Sequence, residues 1–187
     1  MRRASRKGTI MNIVILQGSP NVNGSTAILV EEFARGARQA GHSVERFDVD
    51  RMNIAPCTGC VRCGYEGPCV QHDDMDAIRS ALLAADMVVF ATPLYYYGMS
   101  AQLKIVVDRF CSANASITGR RLKSALLTVA WNADDWTFEA LVAHYKTLVR
   151  YLHLQDCGMV LGYGCGTPGM TRRTKSPQAA YDLDASL

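Results

Sequence analysis

The chain has 187 residues, 49% of them hydrophobic and 20% charged, with a formal net charge of +3. This length and composition indicate one substantial core and exclude a disordered chain. No apolar stretch is long enough to cross a bilayer, and the basic N-terminal run lacks the apolar segment of a secretory signal, so we expect a soluble, cytoplasmic protein with no membrane partner. We expect residues 1–10 to be a disordered extension rather than an arm that binds nucleic acid, and residues 11–187 to form a single domain.

Short apolar runs alternate with helical periodicity along the rest of the chain. This alternation is typical of a parallel sheet covered by helices. The predicted elements, in chain order, are strand 13–16, helix 25–40, strand 44–49, a helix capped by Asp73 or Asp74, strand 87–91, a helix with an apolar stripe from Met99 to Phe110, strand 125–130, a long helix capped by Asp135, strand 159–161 and a short helix over 177–183. The pattern predicts an α/β fold with a doubly wound, five-stranded parallel sheet.

The turn after the first predicted strand is rich in hydroxyl and amide side chains and leads directly into a helix. Free backbone N–H groups and the helix dipole favour a phosphate at such a helix N-terminus. The spacing matches neither the Rossmann dinucleotide motif nor the P-loop, which disfavours both kinds of nucleotide site. The candidate phosphate ligands are Ser19, Asn21, Asn23, Ser25 and Thr26. The alternative is a capped turn that binds nothing.

A tyrosine-rich segment follows the third predicted strand and runs from Pro93 through Leu94, Tyr95, Tyr96 and Tyr97 to Gly98. In a doubly wound sheet the first and third strands flank the point where the strand order reverses, and ligands bind outside their carboxyl ends. The two loops are therefore predicted to face one crevice, in which a flat, redox-active ring system would fit. The alternative is that the tyrosines are surface residues or contacts within a dimer.

The order and spacing of these motifs resemble the NAD(P)H-dependent FMN reductase and iron–sulfur flavoprotein branch of the flavodoxin superfamily. The matching pieces are Gly18-Ser19-Pro20 with Gly24-Ser25-Thr26, Asp73-Asp74-Met75, Ala85-Asp86, Thr92-Pro93-Leu94-Tyr95, and Lys104 with Asp108-Arg109. The resemblance covers residues 13–109 and extends more weakly to residue 181. It implies a flavodoxin-like sheet in the order 2-1-3-4-5 with helices on both faces.

The same resemblance implies FMN as the cofactor and NAD(P)H as the co-substrate. It assigns the FMN phosphate to Ser19, Asn21, Ser25 and Thr26, the isoalloxazine ring to residues 93–98, and a third contact to Trp131 and Asn132. Lys104 and Arg109 are left out of this site, because their place on an amphipathic helix favours structural ion pairs.

Four of the seven cysteines fall within residues 57–69, with the spacing Cys57-x2-Cys60-x2-Cys63-x5-Cys69. Closely spaced thiolates on a loop of glycines and a proline suit an iron–sulfur cluster. The spacing is similar to the compact motif of the iron–sulfur flavoproteins, which implies a [4Fe–4S] cluster that passes electrons to FMN. A zinc site and a reduced loop without metal are the alternatives. The other three cysteines, Cys111, Cys157 and Cys165, are interpreted as ordinary buried or half-buried thiols.

We therefore expect an oxidoreductase in which NAD(P)H reduces the flavin and the electrons pass on to a quinone, a free flavin or another small acceptor. The cofactor carries this chemistry, so no catalytic side chain is named. The alternatives are an electron carrier between FMN, a [4Fe–4S] cluster and a redox partner protein, and a flavin-free sensor or scaffold that kept the fold. The aromatic loop and the Cys-rich loop would be partly exposed in a monomer, which predicts a homodimer or homotetramer.

Overall fold

A single parallel sheet organises the computed structural model, which describes residues 10–184. The predicted extension over residues 1–10 lies outside this range except for Ile10. The five strands are β1 Asn12–Gln17, β2 Ser43–Asp48, β3 Met87–Pro93, β4 Lys123–Val129 and β5 Gln155–Gly162. Every neighbouring pair is parallel, and the order is β2-β1-β3-β4-β5. The predicted flavodoxin-like strand order is confirmed.

Helices follow the strands in the pattern that the sequence predicts. Within residues 10–184 they are α1 Ser25–Gln39, α2 Met75–Ala84, α3 Ala101–Arg109, α4 Asn114–Arg120, α5 Glu139–Tyr151, α6 Pro168–Thr171 and α7 Ser176–Asp184. Short 3-10 turns occupy Val49–Arg51, Phe110–Ala113 and Asp135–Phe138. The brief helices α4 and α6 were not predicted, because neither is long enough to show a repeated apolar stripe. None of the helices in the described range combines the length and apolar character of a membrane span.

The two predicted helix caps have different outcomes. Asp73 accepts a hydrogen bond from the Met75 N–H at 3.1 Å through its Oδ1 atom, so it does satisfy a donor in the first turn of α2. The prediction for Asp135 is wrong. Asp135 begins a 3-10 turn, the long helix α5 starts only at Glu139, and neither element has a side-chain cap. The turn already buries Phe138, so the apolar stripe begins before the helix does.

Apolar layers cover both faces of the sheet, as predicted. On one face Ile13 and Ile15 of β1 lie in a buried cluster with Phe33 of α1 and Ala180 near the C-terminal end. On the other face the buried cluster joins the strands to α2, α3 and α5. All seven residues of β3 are buried, because this strand lies at the centre of the sheet and is covered on both sides. This burial fixes the strand ends that carry the candidate site.

Candidate functional site

Hydrogen bonds tie the loop after β1 to the end of β3 and the start of α3. The Gly18 N–H donates to the Ala91 carbonyl at 2.8 Å, and the Ser100 hydroxyl donates to the Gly18 carbonyl at 2.6 Å. The Ser100 hydroxyl also caps α3 by accepting from the Leu103 N–H. A Cβ atom at position 18 would lie 2.5 Å from the Leu103 Cβ, so this close approach requires glycine. The two predicted ligand loops are therefore held together.

The N-terminus of α1 presents hydrogen-bond donors that no side chain satisfies. Its capping position is Gly24, and no side-chain cap or acidic residue lies in the first turn. The Ser25 side chain is buried, and its hydroxyl has no hydrogen-bond partner within the described protein. A bound anion would satisfy the hydroxyl and the backbone N–H groups together, and the helix dipole favours it there.

The turn that precedes α1 is shaped by its own side chains. The Ser19 Oγ accepts from the Asn21 N–H at 3.3 Å, and the Asn21 Oδ1 accepts from the Asn23 N–H at 3.2 Å. The Gly24 N–H donates to the Asn21 carbonyl at 3.0 Å. These bonds fold the segment so that the donors of α1 remain free. Asn21 thus has a structural task in addition to its predicted place beside a phosphate.

The tyrosine loop is a tight turn with an unusual backbone. Tyr95 and Gly98 exchange N–H···O hydrogen bonds of 3.0 and 3.1 Å, and between them Tyr96 and Tyr97 adopt φ angles of +45° and +62°. Such a turn favours glycine or asparagine, so two aromatic residues there are strained. The Tyr96 side chain is fully exposed, whereas the Tyr97 ring lies 5.1 Å from that of Trp136. Strained backbone of this kind clusters at functional sites.

The segments that follow β4 and β5 lie side by side and form a third wall next to the loop after β1 and the tyrosine loop. The Cys165 N–H donates to the Ala130 carbonyl at 2.7 Å, and the Gly164 N–H donates to the Asn132 carbonyl at 3.0 Å. A Cβ atom on Gly166 would lie 2.2 Å from the Trp131 Cε3, so the indole rests directly on the glycine backbone. Trp131 still exposes 68% of its surface. Nothing in the sequence indicates that the loop after β5 takes part in this wall.

These loops enclose a cavity of about 220 Å³ at the carboxyl ends of β1, β3 and β4. Of the predicted residues, it is lined by Ser19, Asn21, Ser25, Thr26, Pro93, Leu94, Tyr95 and Trp131. Its other lining residues, which were not predicted, are Gly24, Val129, Ala130, Cys165 and Gly166. An adjoining cavity of about 210 Å³ is lined by Leu94, Tyr96, Tyr97, Ala130, Trp131 and Asn132. Asn23 and Gly98 line neither of these two cavities.

The cysteine loop is closed at its base by pairing between the segments that enter and leave it. The Asn53 N–H donates to the Asp74 carboxylate at 2.7 Å, and the Asp74 N–H donates to the Asn53 carbonyl at 3.1 Å. Closer to the middle of the loop, the Ala55 N–H donates to the Asp73 carboxylate at 3.0 Å. These hydrogen bonds hold the two ends of the loop together.

Arg109 clamps this base from within the core. Its side chain is only 1% exposed and pairs with the Asp73 carboxylate at 2.7 and 3.0 Å. It also donates to the carbonyls of Ala55 and Gln71, at 2.7 and 3.2 Å. Burial opposes ionisation of Asp73, but the hydrogen bonds from Arg109 and from the N–H groups of Ala55 and Met75 outweigh it and lower the pKa of Asp73.

The predicted structural role of Lys104 and Arg109 is confirmed. Lys104 forms an exposed ion pair with Asp108, at 2.6 Å and one helical turn away. Arg109 forms the buried pair with Asp73 described above. Neither side chain lines the cavity at the ends of β1, β3 and β4.

The four clustered thiols do not converge on one point. The Cys57 sulfur accepts from the Gly59 N–H and the Cys69 sulfur from the Gln71 N–H, both at 3.5 Å, and Cys60 is exposed. In the part of the chain that the structure describes, no three Cys, His, Asp or Glu side chains are grouped as ligands of a metal ion. In this arrangement the cysteines do not fit a [4Fe–4S] cluster or a zinc site. The assignment of Cys57, Cys60, Cys63 and Cys69 as metal ligands stays a prediction.

The remaining cysteines are less alike than the sequence indicated. Cys157 is half-buried on β5, and Cys165 is buried and lines the crevice at the strand ends. Cys111 is half-buried, and its sulfur lies 4.0 Å from that of Cys63. Burial, with Cys63 as its neighbour, raises the pKa of Cys111 to about 11. Sequence spacing gave no signal for this contact, because the two residues are 48 positions apart.

Known proteins match this chain along different lengths. The profile of the NADPH-dependent FMN reductase family matches residues 11–158. YwqN of Bacillus subtilis, which is named as an NAD(P)H-dependent FMN-containing oxidoreductase, is 30% identical over an alignment of 180 positions, which covers 92% of this chain and 96% of that protein. An iron–sulfur flavoprotein of Methanocaldococcus jannaschii is 35% identical over 99 residues, or 53% of this chain and 51% of that one. The chain thus spans about half the length of the iron–sulfur flavoproteins that it matches.

Solved structures share the fold at low sequence identity. The NAD(P)H:quinone oxidoreductase from Methanothermobacter marburgensis has a TM-score of 0.73 at 20% identity, covering 95% of this chain and 93% of that one. An FMN-dependent NADH-azoreductase from Bacillus anthracis, solved in complex with FMN, has a TM-score of 0.71 at 12% identity, covering 92% and 97%. Since the family profile spans most of the chain and YwqN matches along nearly all of it, the chain belongs to the NADPH-dependent FMN reductase family.

Proposed function

We propose that this chain is an FMN-dependent oxidoreductase that takes electrons from NAD(P)H and passes them to a small acceptor such as a quinone or a free flavin. The observation that carries the proposal is the N-terminus of α1, where uncapped N–H groups lie beside the buried, unpartnered hydroxyl of Ser25. This feature lies in the crevice where ligands of doubly wound sheets bind. Membership of the FMN reductase family supports FMN as the occupant.

The residues of the crevice suit both ends of FMN. The phosphate would be held by the N–H groups of the first turn of α1, with the hydroxyls of Ser19, Ser25 and Thr26 around it. The ring system would lie between the Pro93–Tyr95 segment and the wall of Trp131 and Gly166. The hydrogen bonds between Gly18, Ala91 and Ser100 keep these two halves at a fixed separation.

FMN supplies the hydride and electron chemistry when bound, and the protein supplies its surroundings. The adjoining cavity of about 210 Å³ shares Leu94, Ala130 and Trp131 with the crevice. Its described lining residues include no acidic, basic or histidine side chain. It therefore suits an uncharged, flat ring, such as the nicotinamide of NAD(P)H or a quinone, stacked near Trp131 and Tyr96. These aromatic side chains also favour a homodimer or homotetramer, in which a second copy would cover them.

The test is a comparison of two flavins that differ only in the phosphate. Apoprotein is titrated with FMN and with riboflavin, and the quenching of flavin fluorescence is followed. We expect Ser25→Ala to weaken FMN binding by roughly 10- to 100-fold, the range for one hydrogen bond to a charged group, and to leave riboflavin binding unchanged. Ser80→Ala, which removes an exposed hydroxyl on α2, is the matched control and should change neither affinity.

Two outcomes would contradict the proposal. Equal weakening for FMN and riboflavin would show that Ser25 does not contact the phosphate, and failure of the wild-type protein to bind FMN would exclude the cofactor. Steady-state oxidation of NADH or NADPH with a quinone or free FMN then tests the activity. A protein that binds FMN but shows no turnover with any of these acceptors would be the electron carrier instead.

A further inference from the structure

Two thiols from distant parts of the chain meet where the cysteine loop rests on the rest of the protein. The Cys63 Sγ lies 4.0 Å from the Cys111 Sγ, and both residues are half-buried. Cys63 belongs to the loop, and Cys111 to the 3-10 turn Phe110–Ala113 that follows α3. We propose that Cys63 and Cys111 form a redox-active dithiol, which a hydroperoxide converts into a disulfide that fixes the cysteine loop to this turn.

Hydrogen bonds hold the two segments together around the sulfur contact. The Ala115 N–H donates to the Tyr65 carbonyl at 3.1 Å. Arg79 bridges the same two segments by donating to the Glu66 carbonyl at 2.9 Å and to the Ser112 carbonyl at 3.1 Å. These bonds involve main-chain atoms within four residues of each cysteine. The approach of the two sulfurs is therefore fixed by the backbone of both segments.

Free space beside Cys111 permits the remaining movement. The sulfurs have to approach each other by about 2 Å to reach bonding distance. A cavity of about 240 Å³ borders Cys111 and is lined by Tyr65, Phe110 and Leu148, with the Lys104–Asp108 ion pair among its other lining residues. Cys111 therefore borders free space on one side, which leaves its side chain room to change rotamer.

The other loop cysteines are occupied in a different way. Cys57 and Cys69 each accept a hydrogen bond from an N–H group two residues further along the loop. Cys60 is exposed. Within residues 10–184, the contact between Cys63 and Cys111 is the one that brings two sulfurs together. The pair thus stands apart from the motif spacing that first drew attention to this loop.

The proposed oxidation balances with a hydroperoxide as the oxidant. One thiolate of the pair attacks a peroxide oxygen, the O–O bond breaks, and the alcohol or water leaves, so that a sulfenic acid forms on that sulfur. The second sulfur attacks the sulfenyl sulfur, the S–S bond forms, the S–O bond breaks, and water leaves with the second thiol proton. Two electrons pass from the two thiols to the peroxide.

The test counts thiols before and after oxidation. Purified protein is reduced, freed of reductant without oxygen, treated with hydrogen peroxide or an organic hydroperoxide, and then denatured for thiol titration. The count should fall from seven to five, since two of the seven thiols enter the bond. Peptide mass mapping should find residue 63 linked to residue 111, and dithiothreitol should restore all seven thiols.

Two serine variants make the assignment specific. Cys111→Ser should form no disulfide, and the sulfenic acid left on Cys63 should be trapped by a cyclic 1,3-dione. Cys157→Ser removes a half-buried cysteine on β5 and should still form the link between residues 63 and 111. This pair of variants separates the proposed contact from a general loss of one cysteine.

Three results would overturn the proposal. They are an unchanged thiol count under a large excess of peroxide, a disulfide within residues 57–69 that leaves Cys111 free, and purified protein with iron and sulfide bound to Cys63. Flavin titration of the same sample reports on the proposed function separately, because the dithiol does not depend on FMN.

Discussion

The crevice at the ends of β1, β3 and β4 and the cysteine loop after β2 both follow strand ends, yet their polar groups are satisfied in opposite ways. In the crevice the N-terminus of α1 is uncapped and the Ser25 hydroxyl is buried without a partner. At the base of the cysteine loop most polar groups pair with one another: the two terminal nitrogens of Arg109 bond to Asp73 and to two carbonyls, and only the Arg109 Nε is left without a partner among the described residues.

This difference separates a helix N-terminus with unsatisfied donors from a loop base that is largely closed by internal hydrogen bonds. An unsatisfied buried polar group costs free energy, so an anion bound in the crevice would stabilise the protein. The base of the cysteine loop is instead closed by hydrogen bonds from Asn53 and Ala55 to Asp74 and Asp73. The comparison predicts that flavin affinity changes only with mutations in the crevice, whereas mutations at the base of the cysteine loop change stability alone.

The largest expected effect is that of breaking the Arg109 clamp. Arg109→Met should lower the free energy of unfolding by about 3–5 kcal/mol, because it leaves the nearly buried Asp73 carboxylate without its partner. The measurement is urea unfolding of the apoprotein. Lys104→Met is the matched control, since it removes the exposed pair with Asp108 and should cost only about 0.2–1 kcal/mol. Similar losses in the two variants would mean that the clamp does not hold the loop.

A smaller effect is expected where Gly18, in the loop after β1, contacts the start of α3. Gly18→Ala would bring a Cβ to 2.5 Å from that of Leu103, so it should cost about 1–3 kcal/mol of stability and also weaken FMN binding. Gly119→Ala adds the same methyl group in α4, where nothing lies within 4 Å, and should stabilise the protein by about 0.5–1 kcal/mol. Unfolding and flavin titration are measured for both. Unchanged FMN affinity in Gly18→Ala would show that the loops are not coupled.

The smallest effect concerns the strained tyrosine turn. Tyr96→Asn should raise the free energy of unfolding by about 0.5–1 kcal/mol, because asparagine tolerates the left-handed backbone better and the exposed Tyr96 ring loses no packing. Tyr97→Asn relieves the same strain but loses the contact with Trp136, so its net change should be nearer zero. Thermal unfolding resolves the two. A stability lower in Tyr96→Asn than in wild type would contradict the assignment of strain.

The sequence was sufficient for the fold because the central strands are continuous apolar runs. Residues 13–16 and 87–91 are buried on both faces, and such runs between helical stripes leave few topologies open. The turn before α1 was also predictable, since hydroxyl and amide residues between a strand and a helix favour a tight turn at a helix N-terminus, whereas its binding of a phosphate stays a prediction. The prediction that Asp135 caps the long helix is wrong because the sequence pattern of an acidic residue before an apolar stripe is the same whether a helix or a 3-10 turn follows.

What the sequence could not reveal depends on contacts between distant residues. Gly166 supports Trp131 only because β4 and β5 end side by side, and the glycine-rich segment after β5 has no motif that announces this. The contact of Cys63 with Cys111 likewise requires the loop to fold back onto the turn after α3. Close spacing drew attention to four cysteines, whereas tertiary structure pairs one of them with a fifth.

The closed base of the cysteine loop has a consequence for how this chain can diverge. The segments that enter and leave the loop are paired at Asn53 and Asp74, so the chain returns almost to its starting point before α2 begins. The length and the sequence of the loop between these two residues can change while α2 and the sheet keep their places. The cysteines of this loop can therefore be gained or lost in evolution without a change in the sheet and helices beside it.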